Sequence, residues 1–236
     1  SLIKSSKKIC KKTLVSIFIN PSQFNKYSDL RNYPKNLKKD LEILKKHKVD
    51  YLLLPNTKEI YKKKKDRKIK LSKNDKILCA KFRPGHFEGV LAVINQFLYN
   101  FKPKYIFFGE KDYQQLFLIK NFVKKKFKTK VVSCSTVRDN NKVALSSRNI
   151  LLSKNDIKKS SFIAKLLLKF KIDLKRNILL KKKLKNLFFK INNIKNIKVE
   201  YLEIRNKKNL LKNYNKNNLK IFLAYYNKKV RLIDNY

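Results

Sequence analysis

The chain has 236 residues, 43% of them hydrophobic, which is enough to bury the core of one large domain or of one domain plus a smaller one. Its net charge of +45 would suit a nucleic-acid-binding protein, but only eight of the 61 cations are Arg and the Lys are spread through nearly every helix and loop, so we expect no specific nucleic-acid partner. Three widely spaced Cys argue against structural zinc, and no apolar run approaches the ~18 residues of a membrane span, so we expect a cytoplasmic protein without a membrane partner.

The first half of the chain alternates between two apolar patterns. Short runs rich in β-branched and aromatic residues predict buried parallel strands, whereas apolar residues at i, i+4 and i+7 predict amphipathic helices. The predicted elements are a strand at Thr13–Ile19, a helix at Leu37–Leu44, a strand at Val49–Leu54, a helix at Val90–Phe101, a strand at Tyr105–Phe108, a helix from Leu116 to about Phe127 and a strand at Lys130–Cys134. This order predicts an α/β fold with a doubly wound, Rossmann-like parallel sheet.

Four polar strings lie beside these elements. They are Asn20-Pro-Ser-Gln-Phe24, Arg83-Pro-Gly-His-Phe-Glu-Gly89, Gly109-Glu-Lys-Asp-Tyr-Gln-Gln115 and Ala144-Leu-Ser-Ser-Arg-Asn149. Backbone N–H groups and polar side chains at the carboxyl edge of a parallel sheet can bind and orient an anionic substrate. The strings therefore mark the candidate site.

Gly109 stands directly between a predicted strand and a predicted helix. The chain has only three glycines, so we expect each of them to occupy a position that needs one. In such a turn a glycine supplies either a positive φ or room for a ligand to approach the backbone. The alternative, that Gly109 only makes the turn, stays open.

The sequence changes character near residue 150. Ser153 followed by Asp156 predicts a capped helix start. The patterns that follow predict helices at about Lys154–Phe170 and Asn177–Ile191 and strands at Val199–Ile204, Leu219–Tyr226 and Val230–Ile233. We therefore predict a Rossmann-like domain over residues 1–149 and a smaller C-terminal α+β domain over residues 150–236.

Taken together and in order, the four strings closely resemble the pantothenate synthetase (pantoate–β-alanine ligase) family, and Arg231-Leu-Ile-Asp-Asn235 resembles its C-terminal strand. The resemblance covers essentially the whole chain. It implies a nucleotidyltransferase-type Rossmann domain with a small C-terminal lid, usually homodimeric, acting in pantothenate biosynthesis on the coenzyme A pathway. The implied reaction uses ATP and Mg²⁺: the carboxylate of pantoate attacks the α-phosphate, pyrophosphate leaves, and the amine of β-alanine then opens the pantoyl adenylate.

The resemblance also assigns residues to ATP. The implied ATP-binding residues are Gly109, Glu110, Lys111, Asp112, Val137, Leu145, Ser146, Ser147 and Arg148, with Val137 contacting adenine through its backbone. Lys111, Ser146, Ser147 and Arg148 are the implied catalytic groups, because cations and hydroxyls suit the phosphates. The alternative for residues 145–148 is an ordinary polar loop with a helix cap.

A second set is implied for the other substrates. Gln23, Gln115 and Asn20 match the residues that bind pantoate and β-alanine, with amides suited to hydroxyl and carboxylate groups. Arg83 and His86 could close over the substrate, or Pro84-Gly85 could be a plain turn with His86 as a helix cap. No side chain is assigned as a metal ligand.

One departure from the family lies at the start of the chain. The family's first ATP motif, a proline-rich turn leading to two His, would end just before Ser1, so we expect residues 1–236 alone to hold only part of the nucleotide site and to show little or no ligase activity. Two alternative functions remain at this point. One is a basic nucleic-acid-binding protein, which heparin would retain with a steep salt dependence, and the other is an adenylyltransferase of related fold with another substrate.

Overall fold

The structure is a computed structural model that describes residues 2–25, 27–61, 69–176, 179–212 and 218–236. The chain divides into two compact units, Ser1–Ser135 and Thr136–Tyr236. The predicted domain boundary lay after residue 149, so the division places residues 136–149 in the second unit instead of the first. The physical reason is that Arg138 pairs with Ala144 in a short antiparallel bridge and also forms an ion pair with Asp234 in the last strand.

The first unit contains all the strands and helices that were predicted for it. Its elements are α1 (Leu2–Ile9), β1 (Leu14–Ser16), α2 (Tyr27–Arg31), α3 (Leu37–Lys46), β2 (Tyr51–Leu53), α4 (Thr57–Ile60), α5 (Leu78–Phe82), α6 (His86–Phe101), β3 (Tyr105–Gly109), α7 (Tyr113–Lys126) and β4 (Lys130–Cys134). The short helices α1, α2, α4 and α5 were not predicted, because a helix of one or two turns shows too few apolar positions to define a period.

The four strands of this unit form two parallel pairs. Leu14 of β1 lies opposite Tyr51 of β2, and β3 pairs with β4 until Gly109 lies opposite Cys134. Over the described ranges, no ladder of hydrogen bonds joins one pair to the other. The parallel pairing agrees with the predicted α/β class, in which helices connect the strands.

The burial of β1 and β2 was predicted wrongly. Both strands were expected to be buried on both faces, but Leu14 is 43% exposed and Tyr51 is 56% exposed. A parallel strand is buried on both faces when it lies inside a wide sheet with helices on either side. In a hydrogen-bonded pair, each strand has one neighbour, so more of its side chains reach the surface.

Helices α6 and α7 supply much of the core of this unit, and they contact each other. The fully buried residues include Leu98 of α6 and Leu116 and Ile119 of α7. Leu116, Ile119 and Val123 recur at helical spacing on one face of α7, which is the pattern that predicted this helix.

Asp50 fixes the beginning of this unit. Its carboxylate accepts a hydrogen bond from the Lys7 ammonium at 2.6 Å and another from the backbone N–H of Thr13 at 2.8 Å, which holds α1 and β1 to the start of β2. The hydrogen bond from Lys7, followed by that from Thr13, lowers the pKa of Asp50 to about 2.

The second unit is an antiparallel sheet packed against two helices. After a 3-10 helix at Ser147–Leu151, its elements are α8 (Lys154–Arg176), α9 (Leu180–Asn192), β5 (Ile197–Asn206), β6 (Leu219–Asn227) and β7 (Val230–Asn235). The strand order is β5-β6-β7, so the predicted smaller α+β part is present. The predicted start of the second helix at Asn177 lies outside the described residues.

The core of the second unit lies between the helices and the sheet. Helix α8 contacts β6, and α9 contacts β5. The buried cluster joins Leu167 of α8, Ile191 of α9 and Ile221 of β6, each of which is completely enclosed. Although α8 has 23 residues, none of the described helices is both long and apolar enough to cross a membrane.

Asp156 links the start of α8 to the turn between β6 and β7. Its carboxylate accepts hydrogen bonds from the hydroxyl of Ser153 at 2.6 Å and from the ammonium of Lys228 at 2.9 Å. Its backbone carbonyl accepts a hydrogen bond from the side chain of Asn227 at 2.9 Å. The capped start that the sequence predicts is therefore confirmed, and the hydrogen bonds from Ser153 and then Lys228 lower the pKa of Asp156 to about 2.

Replacing Asp156 with Asn should remove a pH-dependent contribution to stability. The folded-state pKa is depressed from 3.8 to about 2, so the contribution of the carboxylate is complete above about pH 4 and is lost as the pH falls towards 2. We expect the difference in the free energy of unfolding between the wild type and Asp156→Asn to be constant near neutral pH and to shrink over this range. Urea titrations at a series of pH values measure it, and Asp50 titrates in both proteins and cancels. A difference that stays constant down to pH 2 would contradict the assignment.

Candidate active site

Two of the four polar strings lie against each other in the first unit. The guanidinium of Arg83 donates to the backbone carbonyl oxygen of Gln23 at 3.1 Å, and Nδ1 of His86 lies 2.8 Å from the same oxygen. The side chain of Asn25 donates to the carbonyl oxygen of Pro84 at 2.6 Å. Residues 83–86 and 20–25 are therefore held together by three side chains.

The contacts of His86 determine its tautomer. A carbonyl oxygen only accepts, so Nδ1 of His86 must donate to Gln23; Nε2 lies 3.1 Å from the guanidinium of Arg83, which only donates, so Nε2 accepts. The ring is therefore neutral in this arrangement. The residue that caps α6 is Gly85, with φ of +81°, so the interpretation of His86 as a helix cap is wrong. Closure of Arg83 and His86 over a substrate stays a prediction.

The side-chain amide of Asn20 is hydrogen-bonded to other residues of the protein. It is 2% exposed, and its amide nitrogen donates to the hydroxyl of Tyr61 at 2.9 Å and to the carbonyl oxygen of Gly89 at 3.2 Å. Its oxygen accepts from the backbone N–H and the hydroxyl of Ser22. The predicted contact of Asn20 with pantoate stays a prediction, and the geometry favours a role in shaping the 3-10 helix Pro21–Gln23.

Gly89 allows this close approach. A Cβ at residue 89 would lie 2.7 Å from the hydroxyl oxygen of Ser22 and 3.0 Å from its carbonyl oxygen, which is closer than atoms pack. Gly85 is required because its backbone is left-handed, and Gly89 is required by this contact with Ser22.

Neither of these two requirements, a left-handed backbone or a close contact, applies to Gly109. Its φ is −76° and its ψ is 140°, an ordinary extended conformation, and no atom lies within 4 Å of a Cβ built there. It ends β3 and is followed by a 3-10 helix at Glu110–Asp112 and then by α7. The fold around Gly109 does not need glycine, and the open space beside its backbone is available to a ligand.

Charged residues follow Gly109 directly in the chain. The Lys111 ammonium lies 3.3 Å from the carboxylate of Asp112, and its side chain is 20% exposed. Burial and the negative charge of Glu110 raise the pKa of Tyr113, so its phenol remains protonated at neutral pH. The end of β3 thus presents one partly buried cation, two carboxylates and the start of a 14-residue helix.

The two consecutive Gln of this string have different environments. Gln114 is buried; its amide nitrogen donates to the carbonyl oxygens of Asp75 at 3.2 Å and Ile77 at 2.7 Å, and its oxygen accepts from the N–H of Ala80 at 3.4 Å. In contrast, the amides of Gln115 and Gln23 bind no protein atom within the described residues. Gln114 therefore positions the chain before α5, whereas Gln115 and Gln23 have polar groups available for a substrate.

The fourth string lies in the second unit. The N–H of Leu145 donates to the carbonyl oxygen of Val137 at 3.0 Å, the hydroxyl of Ser146 accepts from the N–H of Arg148 at 3.3 Å, and the side chain of Asn149 donates to the carbonyl oxygen of Ala144 at 3.0 Å. Leu145 is 53% exposed and Val137 is 47% exposed. We refer to residues 145–148 as the SSR loop, and hydrogen bonds at both of its ends define its shape.

Sequence reasoning missed Arg138 and Asp234, which lie next to this loop in the structure. Burial opposes the positive charge of Arg138, but the hydrogen bonds and the charge of Asp234 outweigh it, so the pKa of Arg138 is raised. The available signal was the rarity of Arg: the chain has only eight, and Arg is better suited than Lys to a position that needs a planar donor. Gln114 was in the motif but received no role, since the pattern of the sequence does not distinguish it from Gln115.

Over the described part of the chain, no three His, Cys, Asp or Glu side chains lie close enough together to hold a metal ion as a group. The carboxylates among the candidate ATP residues are Glu110 and Asp112, which lie in one turn. Magnesium commonly binds to one or two carboxylates together with substrate phosphates and water, so this pair fits that mode of binding.

Comparison with known proteins gives one consistent result. The family model for pantoate-beta-alanine ligase matches residues 1–236. The chain is 38% identical over 241 residues to a pantothenate synthetase of Leptospira biflexa, an alignment that covers 99% of this chain and 84% of that protein.

Solved structures agree. A crystal structure of pantoate-beta-alanine ligase from Francisella tularensis, complexed with beta-gamma ATP and beta-alanine, has a TM-score of 0.83 and 38% identity, and covers 100% of this chain and 82% of that one. Pantothenate synthetase from Thermus thermophilus has a TM-score of 0.91 and 28% identity, with 100% and 86% of the chains covered. These similarities confirm the predicted nucleotidyltransferase-type fold. The chain belongs to the pantoate–β-alanine ligase family.

Proposed function

We propose that this chain joins pantoate to β-alanine at the expense of ATP, giving pantothenate, AMP and pyrophosphate through a pantoyl adenylate. Its family consists of ligases, and the Francisella tularensis relative was crystallised with beta-gamma ATP and beta-alanine. The reaction needs two displacements, one at the α-phosphate and one at the acyl carbon. Both depend on positioning and on neutralisation of charge more than on a protein nucleophile.

The observation that carries the proposal is the pair of available amides on Gln23 and Gln115. Both lie in strings that match the family, and among the described residues neither amide has a protein partner, whereas the neighbouring Asn20 and Gln114 are fully hydrogen-bonded. An amide can donate to a carboxylate and accept from a hydroxyl, and pantoate carries both groups. We assign Gln23 and Gln115 to pantoate, and Gln23 also to β-alanine.

In the first unit, we assign Gly109, Glu110, Lys111 and Asp112 to ATP. The space beside Gly109 allows a ligand to approach the backbone, and the Lys111 ammonium can neutralise charge that develops on phosphate oxygens. Glu110 and Asp112 would hold Mg²⁺ together with the phosphates, and the ion would supply further neutralisation of charge.

In the second unit, we assign Val137 and the SSR loop to ATP. Val137 is about half exposed, and the family resemblance gives its backbone a contact with the adenine. Ser146, Ser147 and Arg148 provide hydroxyl and guanidinium donors for phosphate oxygens. Lys111, Ser146, Ser147 and Arg148 are the groups that we propose to act in catalysis.

Three further expectations stay predictions: a homodimer, a cytoplasmic location and no specific nucleic-acid partner. The net charge of +45 would repel a second copy at long range and would attract any polyanion. Measurements of self-association and of nucleic-acid binding therefore require physiological salt.

The function is tested by the release of AMP from ATP. We expect release only when both pantoate and β-alanine are present, because the amine completes the reaction that the carboxylate begins. The assay is run on residues 1–236 and on the product of the whole reading frame. AMP released with a different acid, or by neither protein, would contradict the proposal.

Gly109→Ala should weaken ATP binding with little effect on stability, whereas Gly89→Ala should lower stability. At Gly109 the added methyl meets no protein atom, so stability should change by no more than about 1 kcal/mol, while ATP affinity falls about tenfold because the methyl occupies the space that we assign to ATP. At Gly89 the methyl meets Ser22, and the protein should lose about 1–3 kcal/mol. Urea unfolding and calorimetric ATP titration measure the two effects. Unchanged ATP affinity in Gly109→Ala would contradict the assignment of that space.

The two consecutive Gln offer a second matched pair. Gln115→Ala should raise the KM for pantoate about tenfold without loss of stability, because its amide binds no described protein atom. Gln114→Ala removes three hydrogen bonds between a buried amide and the backbone of Asp75, Ile77 and Ala80, and should destabilise the protein by about 2–3 kcal/mol. Steady-state kinetics with pantoate and thermal unfolding distinguish the two residues, and equal effects on stability would refute the different roles.

A further inference from the structure

The side chain of Arg138 contacts several residues within the second unit. Its two terminal nitrogens donate to the two carboxylate oxygens of Asp234 at 2.8 Å each, which is a bidentate pair. One of them also donates to the carbonyl oxygen of Lys142 at 3.0 Å and the other to that of Asn235 at 3.3 Å. The guanidinium carbon lies 4.0 Å from the centre of the Tyr236 ring.

These contacts join a hairpin to the last strand. Arg138 and Ala144 form an isolated antiparallel bridge, and Asp139 closes the turn between them by accepting the N–H of Val143 at 2.9 Å. Asp234 lies in β7, which pairs with β6 in the sheet. The hairpin of residues 138–144 is therefore fixed to the sheet by one guanidinium, whose side chain is 19% exposed.

The SSR loop follows directly from this hairpin. The N–H of Leu145 binds the carbonyl oxygen of Val137, which precedes Arg138, and the side chain of Asn149 binds the carbonyl oxygen of Ala144, which is the bridge partner of Arg138. Both ends of the loop thus depend on residues that Arg138 holds in place. In addition, β7 contacts the 3-10 helix that begins at Ser147.

We propose that the Arg138–Asp234 pair is a positioning element for the SSR loop, so that a carboxylate in β7 sets the arrangement of the residues assigned to ATP phosphates. The part of this inference that concerns ATP rests on the proposed function. The part that concerns the order of the loop stands on the contacts of the second unit alone. Lys cannot replace Arg138, because an ammonium does not form a planar pair of bonds to Asp234 while also reaching two carbonyl oxygens.

The same sheet supplies a matched control. Arg231 of β7 forms an ion pair with Glu200 of β5, with Nε 3.2 Å from the carboxylate oxygens, and both side chains are largely buried. Arg231 and Asp234 are three residues apart on the strand, so their side chains lie on opposite faces of the sheet. Loss of either pair should lower stability to a similar extent, but only loss of the Arg138–Asp234 pair should affect the loop.

The first arm of the test measures amide hydrogen exchange of Leu145, Arg148 and Asn149, whose N–H groups are hydrogen-bonded. We expect about tenfold faster exchange in Asp234→Asn and in Arg138→Lys, and an unchanged rate in Glu200→Gln. Asp234→Asn and Arg138→Lys break the same ion pair. The amides of the double variant should therefore exchange no faster than those of the more affected single variant. An unchanged rate in both single variants, or equal acceleration in Glu200→Gln, would overturn the proposal.

The second arm measures kinetics of the full reading-frame product. We expect Asp234→Asn to raise the KM for ATP about tenfold and to leave the KM for β-alanine within twofold, while Glu200→Gln changes neither. Faster loop exchange with an unchanged KM for ATP would overturn the role in ATP binding. If the wild type releases no AMP, the proposed function has failed, and the exchange arm still decides whether the ion pair orders the loop.

Discussion

The candidate substrate residues of the first unit depend on the contact between residue 89 and Ser22. Because residue 89 has no Cβ, the segment that carries Gln23 can lie against α6, and the amide of Asn20 can reach the carbonyl oxygen of Gly89 at 3.2 Å. The same position allows Arg83 and His86 to share the carbonyl oxygen of Gln23. Backbone contacts thus hold Gln23 in place while its amide remains available, which is the preorganisation that a reaction governed by positioning requires.

Carboxylates are much less numerous than cations in this molecule, so few ion pairs can form. The chain has 16 acidic residues against 61 Lys and Arg, so self-repulsion opposes the compact state. Three carboxylates connect separate elements: Asp50 joins α1 and β1 to β2, Asp156 joins α8 to the β6–β7 turn, and Asp234 joins the hairpin of residues 138–144 to β7. At Asp50 and Asp156 the partner cation is one of many Lys, whereas the carboxylate belongs to a residue type that is scarce in this chain.

The sequence predicted element type well and burial less well. The strand at Lys130–Cys134 and the start of α8 at Lys154 agree with the structure to the residue, because β-branched runs and a capping pair are local signals. The exposure of Leu14 and Tyr51 could not be predicted, since it depends on how many strands pair, which is not a local property. In the site, the four strings were recognised from their residues, but the difference between Gln114 and Gln115 depends on the position of residues 75–80, which only the folded chain shows.

The rarity of Arg has a practical consequence for work with this protein. Arg138, Arg205 and Arg231 each bind a carboxylate through more than one nitrogen, and Arg205 also donates to the carbonyl oxygen of Leu210 at 2.7 Å. Lys, in contrast, is abundant on exposed helix faces, where one cation can replace another. The surface charge can therefore be lowered for solubility or crystallisation by replacing Lys, whereas Arg138, Arg205 and Arg231 must be kept for the second unit to remain intact.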